Sequence, residues 1–224
     1  MKLEPLDRKT IPEYEVIFSA MEDTLGFVPN SILTMARDPE LLIGFSLLSK
    51  RVMNVKKVGS ITGMIKLVWK MLKIQIREAR SKNANVDRID DGLRHLISLA
   101  VSYSAGCRYC QAHTSKTASI HGICDQKINA LFNYEASEFY TAAERAALDL
   151  AFAAGEVPNN TGPEHFTKLR AFFSEAQILD IVSVIAFFGF LNRWNDTMGT
   201  ALEAPAMNYA EAKLGERWAI GKHA

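Results

Sequence analysis

The residues with the clearest chemical potential are two cysteines and a histidine at intervals of three. Cys107, Cys110 and His113 follow Gly106, at a point where one apolar segment ends and another helix is predicted to begin. Residues three apart lie on the same side of a helix, so the three side chains can form one stripe in which the thiols can close a disulfide. Two thiols and a neighbouring base are sufficient to reduce a peroxide.

The start of a helix favours the reactive, deprotonated form of a thiol. Unpaired backbone N–H groups and the helix dipole lower a thiol pKa there. Cys110 is predicted to lie inside the first turn, so we expect its pKa to be lowered most and its sulfur to attack the peroxide. His113 can accept the Cys110 proton, and Cys107 can capture the resulting sulfenic acid as a disulfide.

The same residues permit two other interpretations. Cys107, Cys110 and His113, followed by His121 and Cys124, supply the sulfur and nitrogen ligands that zinc takes. Their spacing matches no standard zinc finger, and a single continuous helix would have to supply every ligand. The two cysteines could also be inert core residues, because a free cysteine is often simply buried. We predict redox chemistry with no metal and no cofactor.

A further histidine lies twelve residues before the first cysteine. His95 belongs to the preceding apolar segment, and a tight turn at Ala105-Gly106 would bring its ring towards the thiols. The alternative is that His95 is a hydrogen-bonded core residue without a chemical role. We retain His95 as a candidate catalytic residue together with Cys110, Cys107 and His113.

The elements that must position these groups are all predicted to be helices. Helix start signals occur at Asp38-Pro39, at Asp90 or Asp91, and in the capping box Thr141-Ala142-Ala143-Glu144. The apolar run Ile178–Leu191 favours a central buried helix over a membrane span, which needs about 18 uninterrupted apolar residues. Alternation typical of β-strands is not evident, so the fold class is all-α.

Composition is consistent with one domain over residues 1–224. The chain is 48% hydrophobic and 23% charged, and only three cysteines occur. The first residues lack the apolar core of a signal peptide, so we expect a cytoplasmic protein with reduced thiols. Nothing in the sequence predicts nucleic-acid binding, and a membrane association is not favoured.

The positive charge is concentrated in one part of the chain. Residues 50–82 contain ten basic residues and one acidic residue, Glu78, although the net charge is only +1. An apolar stripe that includes Ile65, Val68 and Leu72 predicts a helix here, with lysines on another face. Such a helix could lie on a membrane or partner, but we favour a helix that covers the core.

Three segments together resemble a known family. They are Gly106–His113, Gly26–Asn30 followed by Pro39–Leu42, and Phe190–Arg193 followed by Gly199. This pattern resembles the AhpD-like, carboxymuconolactone decarboxylase family, in particular its peroxidase-related branch. The resemblance extends over most of the chain except residues 55–83, which we interpret as a basic helical insertion.

The resemblance implies an all-helical fold that assembles as trimers or hexamers. It also implies an alkylhydroperoxidase activity in which the second cysteine, Cys110, attacks and Cys107 resolves, with a lipoyl or thioredoxin-like reductant. His95 occupies the position of a glutamate that relays protons in AhpD. His113 follows Cys110 by three residues where the founding pattern has four, a difference of about 100° around a helix.

Two functional hypotheses follow. The first is a thiol peroxidase that reduces an organic or hydrogen peroxide through a Cys107–Cys110 disulfide and is regenerated by a thiol or a lipoyl or thioredoxin-like reductant. The second is a non-enzymatic helical module that senses redox state or binds a partner through its basic segment.

Overall fold

The chain divides into two compact units, Leu3–Val86 and Asp87–Ala224. The computed structural model describes residues 3–53, 65, 68, 69, 72 and 87–224. These residues form helices, turns and loops, with no strand among them, so the all-α prediction is confirmed. The expectation of one domain over residues 1–224 stays a prediction.

Three helices build the described part of the first unit. They are α1 (Glu15–Leu25), α2 (Asn30–Met35) and α3 (Pro39–Val52). The predicted start of α3 is confirmed, because the Asp38 side chain accepts hydrogen bonds from the backbone N–H groups of Glu40 and Leu41. Residues from all three helices and the preceding turn form one apolar cluster, which contains Tyr14, Ile17, Phe18, Ile32, Ala36, Leu42 and Ile43.

Most of the predicted basic insertion lies outside the described residues. The four positions described there, Ile65, Val68, Trp69 and Leu72, are helical, as the apolar stripe predicts. Their side chains are 44–59% exposed, so the expectation that this stripe covers a core is wrong for these residues. Helical periodicity defines an apolar side, but it does not determine whether another element packs on that side.

Seven helices build the second unit. They are α4 (Asp91–Ser104), α5 (Arg108–Ile120), α6 (Asp125–Asn129), α7 (Ala142–Gly155), α8 (Pro163–Arg170), α9 (Glu175–Met198) and α10 (Ala204–Leu214). Residues 215–224 follow α10 as a C-terminal segment with two short 3-10 turns.

Helix α4 is the centre of this unit. It begins at its predicted cap, where the Asp90 side chain accepts from the Leu93 N–H, and it is buried from Leu96 to Ser102. It packs against α5, α7 and α9. The predicted capping box at Thr141 and Glu144 is present at the start of α7. These starts follow from local hydrogen bonds, which is why the sequence predicts them well.

Helix α9 is long and apolar enough to cross a membrane by length and composition, although one such helix is weak evidence. Its first half is buried from Ile178 to Ile181 and again at Val184 and Ile185. Beyond that, Phe187 and Trp194 are exposed, so the predicted buried helix is correct for the first half only.

Helices α4 and α5 form an antiparallel hairpin that organises the candidate site. Gly106 adopts a left-handed conformation, with φ of 75°, in the turn between them. We call the turn side the thiol end, which contains Cys107 and Cys110 with Asn195 and Asp196 of α9. The opposite side is the far end, which contains Arg94, His95 and His121 with Asp180 of α9.

Candidate active site

The two cysteines of the motif lie together at the start of α5. Cys107 is the N-cap residue, and its sulfur accepts a hydrogen bond from the backbone N–H of Cys110 over 3.4 Å. Both side chains are buried and both thiols are free. The structure therefore brings together the pair that the spacing predicts.

The pKa shifts of the two thiols differ in direction from the expectation for Cys110. Hydrogen bonding with the Cys110 side chain, together with the backbone N–H groups of Cys110 and Tyr109, lowers the pKa of Cys107 although burial opposes it. The bond to Cys107 and burial raise the pKa of Cys110 well above its ordinary value. The expected lowering of the Cys110 pKa is therefore not found, because the hydrogen bond between the thiols and the free N–H groups at the cap position both favour a charge on Cys107. The role of Cys110 in attacking the peroxide stays a prediction.

Asn195 of α9 provides a polar contact to the second thiol. Its Nδ2 lies 3.6 Å from the Cys110 sulfur and also donates to the Leu191 carbonyl over 3.0 Å. Its Oδ1 accepts from the Thr200 hydroxyl over 3.0 Å. The amide is therefore held from both sides, and its hydrogen bond favours a negative charge on Cys110.

Asp196 is the carboxylate whose charge acts on both thiols. Its negative charge raises the pKa of Cys107 and of Cys110, as a minor contribution in each case. One of its oxygens lies 2.8 Å from the Lys222 ammonium, which belongs to the C-terminal segment. Asp196 thus connects this segment electrostatically with the thiol pair.

His113 lies beside the thiols but pairs with a carboxylate. Its Nε2 is 2.7 Å from Glu203, the N-cap residue of α10, and its ring stacks on Tyr109 at 4.4 Å between centroids. The Tyr109 hydroxyl donates to the other Glu203 oxygen over 3.2 Å. The backbone N–H of Glu203 itself, and then His113, lower the pKa of Glu203. The hydrogen bond of His113 is therefore with Glu203, and its role as acceptor of the Cys110 proton stays a prediction.

His95 does not approach the thiols as expected. Its ring stacks on His121 at 4.1 Å between centroids, at the far end. Ser102 of α4 lies beside the start of α5, where the cysteines are, because its carbonyl accepts a hydrogen bond from the Gln111 side chain. His95 precedes Ser102 by seven residues, which is about 10 Å along the helix axis. The antiparallel hairpin therefore separates His95 from the site, and burial followed by His121 lowers the pKa of His95.

The far end also contains two of the five residues that the zinc interpretation requires, His121 and Cys124. His121 is the C-cap residue of α5 and Cys124 the N-cap residue of α6, so both lie at the opposite end of α5 from Cys107. Within the described part of the chain, no three histidine, cysteine or acidic side chains form a group that could hold a metal ion.

The C-terminal segment crosses the start of α5. The Trp218 indole N–H donates to the Arg108 carbonyl over 2.9 Å, and the Arg108 guanidinium reaches the Arg217 carbonyl at 3.4 Å. His223 is buried near Tyr109, with 5.8 Å between ring centroids. This segment encloses the thiol end together with α9.

Sequence reasoning missed Asn195, Asp196, Glu203 and His223. The first two had a usable signal, because they belong to the polar stretch that follows the apolar run Ile178–Leu191 in the same helix. Glu203 and His223 had none, since they approach α5 only through the packing of distant segments. Asn192, within the segment Phe190–Arg193 that carries part of the family resemblance, is buried, and its Nδ2 lies 3.5 Å from the Val101 carbonyl oxygen.

The fold and the site define an all-helical protein with a reduced Cys-x-x-Cys pair at the start of a buried hairpin helix. Comparisons with known proteins agree. Residues 75–153 match the profile of the carboxymuconolactone decarboxylase family. The uncharacterized protein YdfG of Bacillus subtilis (strain 168) is 30% identical over 124 residues, which are 54% of this chain and 82% of YdfG. The chain belongs to the carboxymuconolactone decarboxylase family, as the sequence predicted.

Solved structures of the debrominase Bmp8 are similar over nearly the whole chain. The apo structure is 34% identical, with a TM-score of 0.53, and the match covers 92% of this chain and 94% of Bmp8. A Bmp8 variant with one cysteine replaced by alanine, in complex with 2,3,4-tribromopyrrole, is 32% identical, with a TM-score of 0.54 and coverage of 95% and 97%.

Proposed function

We propose that this protein is a thiol peroxidase, in which Cys107 and Cys110 are oxidised to a disulfide while a peroxide is reduced. The observation that carries the proposal is the hydrogen-bonded pair of free cysteines at the start of α5. Two thiols supply the two electrons that cleave an O–O bond, so no other redox group is needed.

We propose that Cys107 attacks first, since its pKa is lowered by the hydrogen bond with the Cys110 side chain and by the N–H groups at the cap. The thiolate attacks one peroxide oxygen, an S–O bond forms, and the O–O bond breaks. The departing alkoxide or hydroxide takes a proton and leaves as an alcohol or water. Cys110 then loses its proton and attacks the sulfenic sulfur, and the hydroxyl group leaves as water.

Asn195 and His113 support different parts of this sequence. Cys110 must become a thiolate to resolve the sulfenic acid, and the Asn195 amide favours that charge. The His113–Glu203 pair, together with Tyr109, supplies exchangeable protons beside the motif. His95 is too distant in the hairpin to serve either step directly.

A single-turnover experiment tests this order of attack. The Cys110→Ser variant should reduce about one equivalent of peroxide and accumulate a sulfenic acid on Cys107, because its attacking thiolate remains. The Cys107→Ser variant should reduce almost none. A dione reagent followed by mass spectrometry locates the sulfenic acid, and the reverse pattern would restore the sequence-based order. Peroxide that persists in the wild-type protein, despite a readily oxidised pair, would favour the redox-sensor hypothesis.

A second candidate is reductive dehalogenation, which the similarity to debrominase Bmp8 over most of both chains favours. The same thiol pair balances this reaction. The thiolate attacks the bromine of a brominated aromatic ring, the C–Br bond breaks, and the ring carbon takes a proton. The second thiol then displaces bromide as the disulfide forms. Release of bromide from a tribromopyrrole, measured beside peroxide consumption, distinguishes the two substrates.

Either reaction requires regeneration of the dithiol. We propose a thiol or a lipoyl or thioredoxin-like reductant and a homo-oligomeric assembly, as the family resemblance implies, together with a cytoplasmic location. Turnover with dihydrolipoamide or thioredoxin as the electron donor tests the first point, and the mass of the assembly in solution tests the last.

A further inference from the structure

Helix α3 exposes an apolar stripe beside the side that it buries. Leu42 and Ile43 belong to the apolar cluster of the first unit and are 0% and 4% exposed. The exposed residues are three and four positions apart, which places them on one side of the helix, and we call them the α3 stripe: Phe45, Leu48 and Val52, with exposures of 37%, 45% and 65%. Helix α3 therefore carries more apolar surface than the described part of its unit covers.

A second stripe of the same kind follows in the first unit. Its described positions are helical, have the spacing of one helix side and are about half exposed, and we call them the Trp69 stripe: Ile65, Val68, Trp69 and Leu72. An indole has an apolar body and a polar N–H, so Trp69 suits a boundary between water and an apolar phase. Single exposed apolar residues are normal, whereas neighbouring ones along a helix indicate an interaction surface.

The charge of this part of the chain indicates the kind of partner. Lys50 and Arg51 are exposed in the last turn of α3. Residues 50–82 contain ten basic residues and one acidic residue, a charge of +9 in a chain whose net charge is +1. A lysine also directly follows each of Ile65 and Trp69 in the sequence. Positive charge therefore accompanies both stripes.

An anionic lipid surface matches both properties. Exposed apolar side chains can enter the boundary between headgroups and acyl chains, while basic residues remain at the level of the anionic headgroups. A second copy of this chain matches less well. A two-fold contact uses the same surface on both copies, so it would bring one strongly positive segment against another.

We infer that the first unit binds anionic membrane surfaces peripherally, with its two exposed apolar stripes inserted between the headgroups and with Lys50 and Arg51 paired with the lipid phosphates. The sequence alone favoured a stripe that covers the core, and the exposure of the Trp69 stripe removes the reason for that preference. Membrane binding involves neither thiol, so it can be tested separately from the proposed peroxidase reaction.

The test is co-sedimentation of the full chain with lipid vesicles. Vesicles of phosphatidylglycerol and phosphatidylcholine in equal parts are compared with vesicles of phosphatidylcholine alone. We expect the mixed vesicles to bind the protein at least about tenfold more tightly, because each basic residue near an anionic surface adds to the attraction. Added salt should weaken this binding, because it screens the charges.

Two variants separate the apolar and the electrostatic contributions. Val68→Ser combined with Trp69→Ser removes apolar surface, and Lys50→Glu combined with Arg51→Glu reverses two charges. Each should weaken binding to the mixed vesicles at least about tenfold. The matched control is Phe187→Ser, because Phe187 of α9 is 59% exposed, as is Trp69, but belongs to the second unit. This control should bind as the wild type does.

Equal binding to both kinds of vesicle, or binding that neither variant weakens, would overturn the inference. Light scattering without lipid tests the second copy as the occupant. A homo-oligomer that dissociates when Val68 and Trp69 are replaced by serine would also overturn the inference, since the Trp69 stripe would then contact another copy of the chain. Circular dichroism and thermal unfolding of each variant ensure that the compared proteins are folded.

Discussion

Both ends of the α4–α5 hairpin contain buried polar groups, but the two ends differ in how completely these groups are hydrogen-bonded. At the far end, the buried Asp180 carboxylate accepts from the Arg94 guanidinium over 2.9 and 2.7 Å and from the Ile89 N–H over 3.2 Å. At the thiol end, two cysteines are reduced, and the Nε2 of His223 and the Oδ1 of Asn192 are buried without partners.

This difference suggests separate roles for the two ends: residues at the far end stabilise the fold, and residues at the thiol end take part in the reaction. A buried charge with several good hydrogen bonds holds elements together, and removing one partner leaves an uncompensated charge. Buried groups without full hydrogen bonding contribute less to stability, but they are able to exchange protons or electrons. Variants at the far end should therefore lower stability, and variants at the thiol end should lower activity.

The largest expected effect is at the thiols. Cys107→Ser and Cys110→Ser should each lower multiple-turnover peroxide reduction at least about 100-fold, because the disulfide cannot form. Cys124→Ser, at the far end, is the matched control and should retain the wild-type rate. Loss of activity in Cys124→Ser would remove the distinction between the two ends.

The Asp180 carboxylate provides the converse test. Asp180→Asn should lower the free energy of unfolding in urea by about 2 to 3 kcal/mol, since it leaves the Arg94 charge without its main partner. The matched control is Asp91→Asn, because Asp91 is exposed and lies 3.9 Å from the same guanidinium. Asp91→Asn should lower the free energy of unfolding by less than about 1 kcal/mol. Peroxide turnover of the folded Asp180→Asn protein should be close to wild type.

The same carboxylate predicts how stability depends on pH. Burial raises the pKa of Asp180, but hydrogen bonds from Arg94 and its charge outweigh burial and lower the pKa below its ordinary value of 3.8. A carboxyl with a lowered folded-state pKa stabilises the fold above its unfolded pKa and loses that contribution as pH falls. Below about pH 4, the free energy of unfolding measured in urea should therefore fall more steeply with decreasing pH in the wild type than in Asp180→Asn. If the free energies of unfolding of the two proteins change with pH in parallel, Asp180 is not the cause of the acid destabilisation.

Asn195 should have an intermediate effect on chemistry. Asn195→Ala removes the amide that contacts the Cys110 sulfur, and one hydrogen bond of this kind corresponds to about a three- to tenfold change in rate. The quantity to measure is the rate at which the Cys107 sulfenic acid converts to the disulfide after one equivalent of peroxide. Attack on the peroxide should change less, so a uniform loss in both steps would argue against a role in resolution.

The smallest effects are expected from the histidines. They provide a direct comparison of the two ends, because one histidine lies near the thiols and the other at the far end. His113→Ala, next to the thiols, should slow turnover by a few-fold, about the contribution of an imperfectly placed proton donor. His95→Ala, at the far end, should leave turnover within about twofold of wild type. If His95 does relay protons, the pH profile of the steady-state rate of His95→Ala should lack one limb that the wild-type profile has.

Much of the fold can be predicted from the sequence because its signals are local. Asp38, Asp90, Thr141 and Ser174 each cap a helix through hydrogen bonds to residues two or three positions ahead. The turn at Gly106 and the position of Cys107 and Cys110 follow from the same short spacings. Such interactions depend on residues already close in the chain, so sequence order is sufficient to identify them.

The environment of the thiols was decided only by the tertiary structure. Asn195 meets Cys110 across 85 positions of the chain, and Glu203 meets His113 across 90. The antiparallel hairpin places His95 at the far end, and the hydrogen bonds around the thiols lower the pKa of Cys107 and raise that of Cys110. These outcomes depend on how α9, α10 and the C-terminal segment pack on α5, because burial and hydrogen bonding set a pKa and both depend on contacts between residues far apart in the sequence.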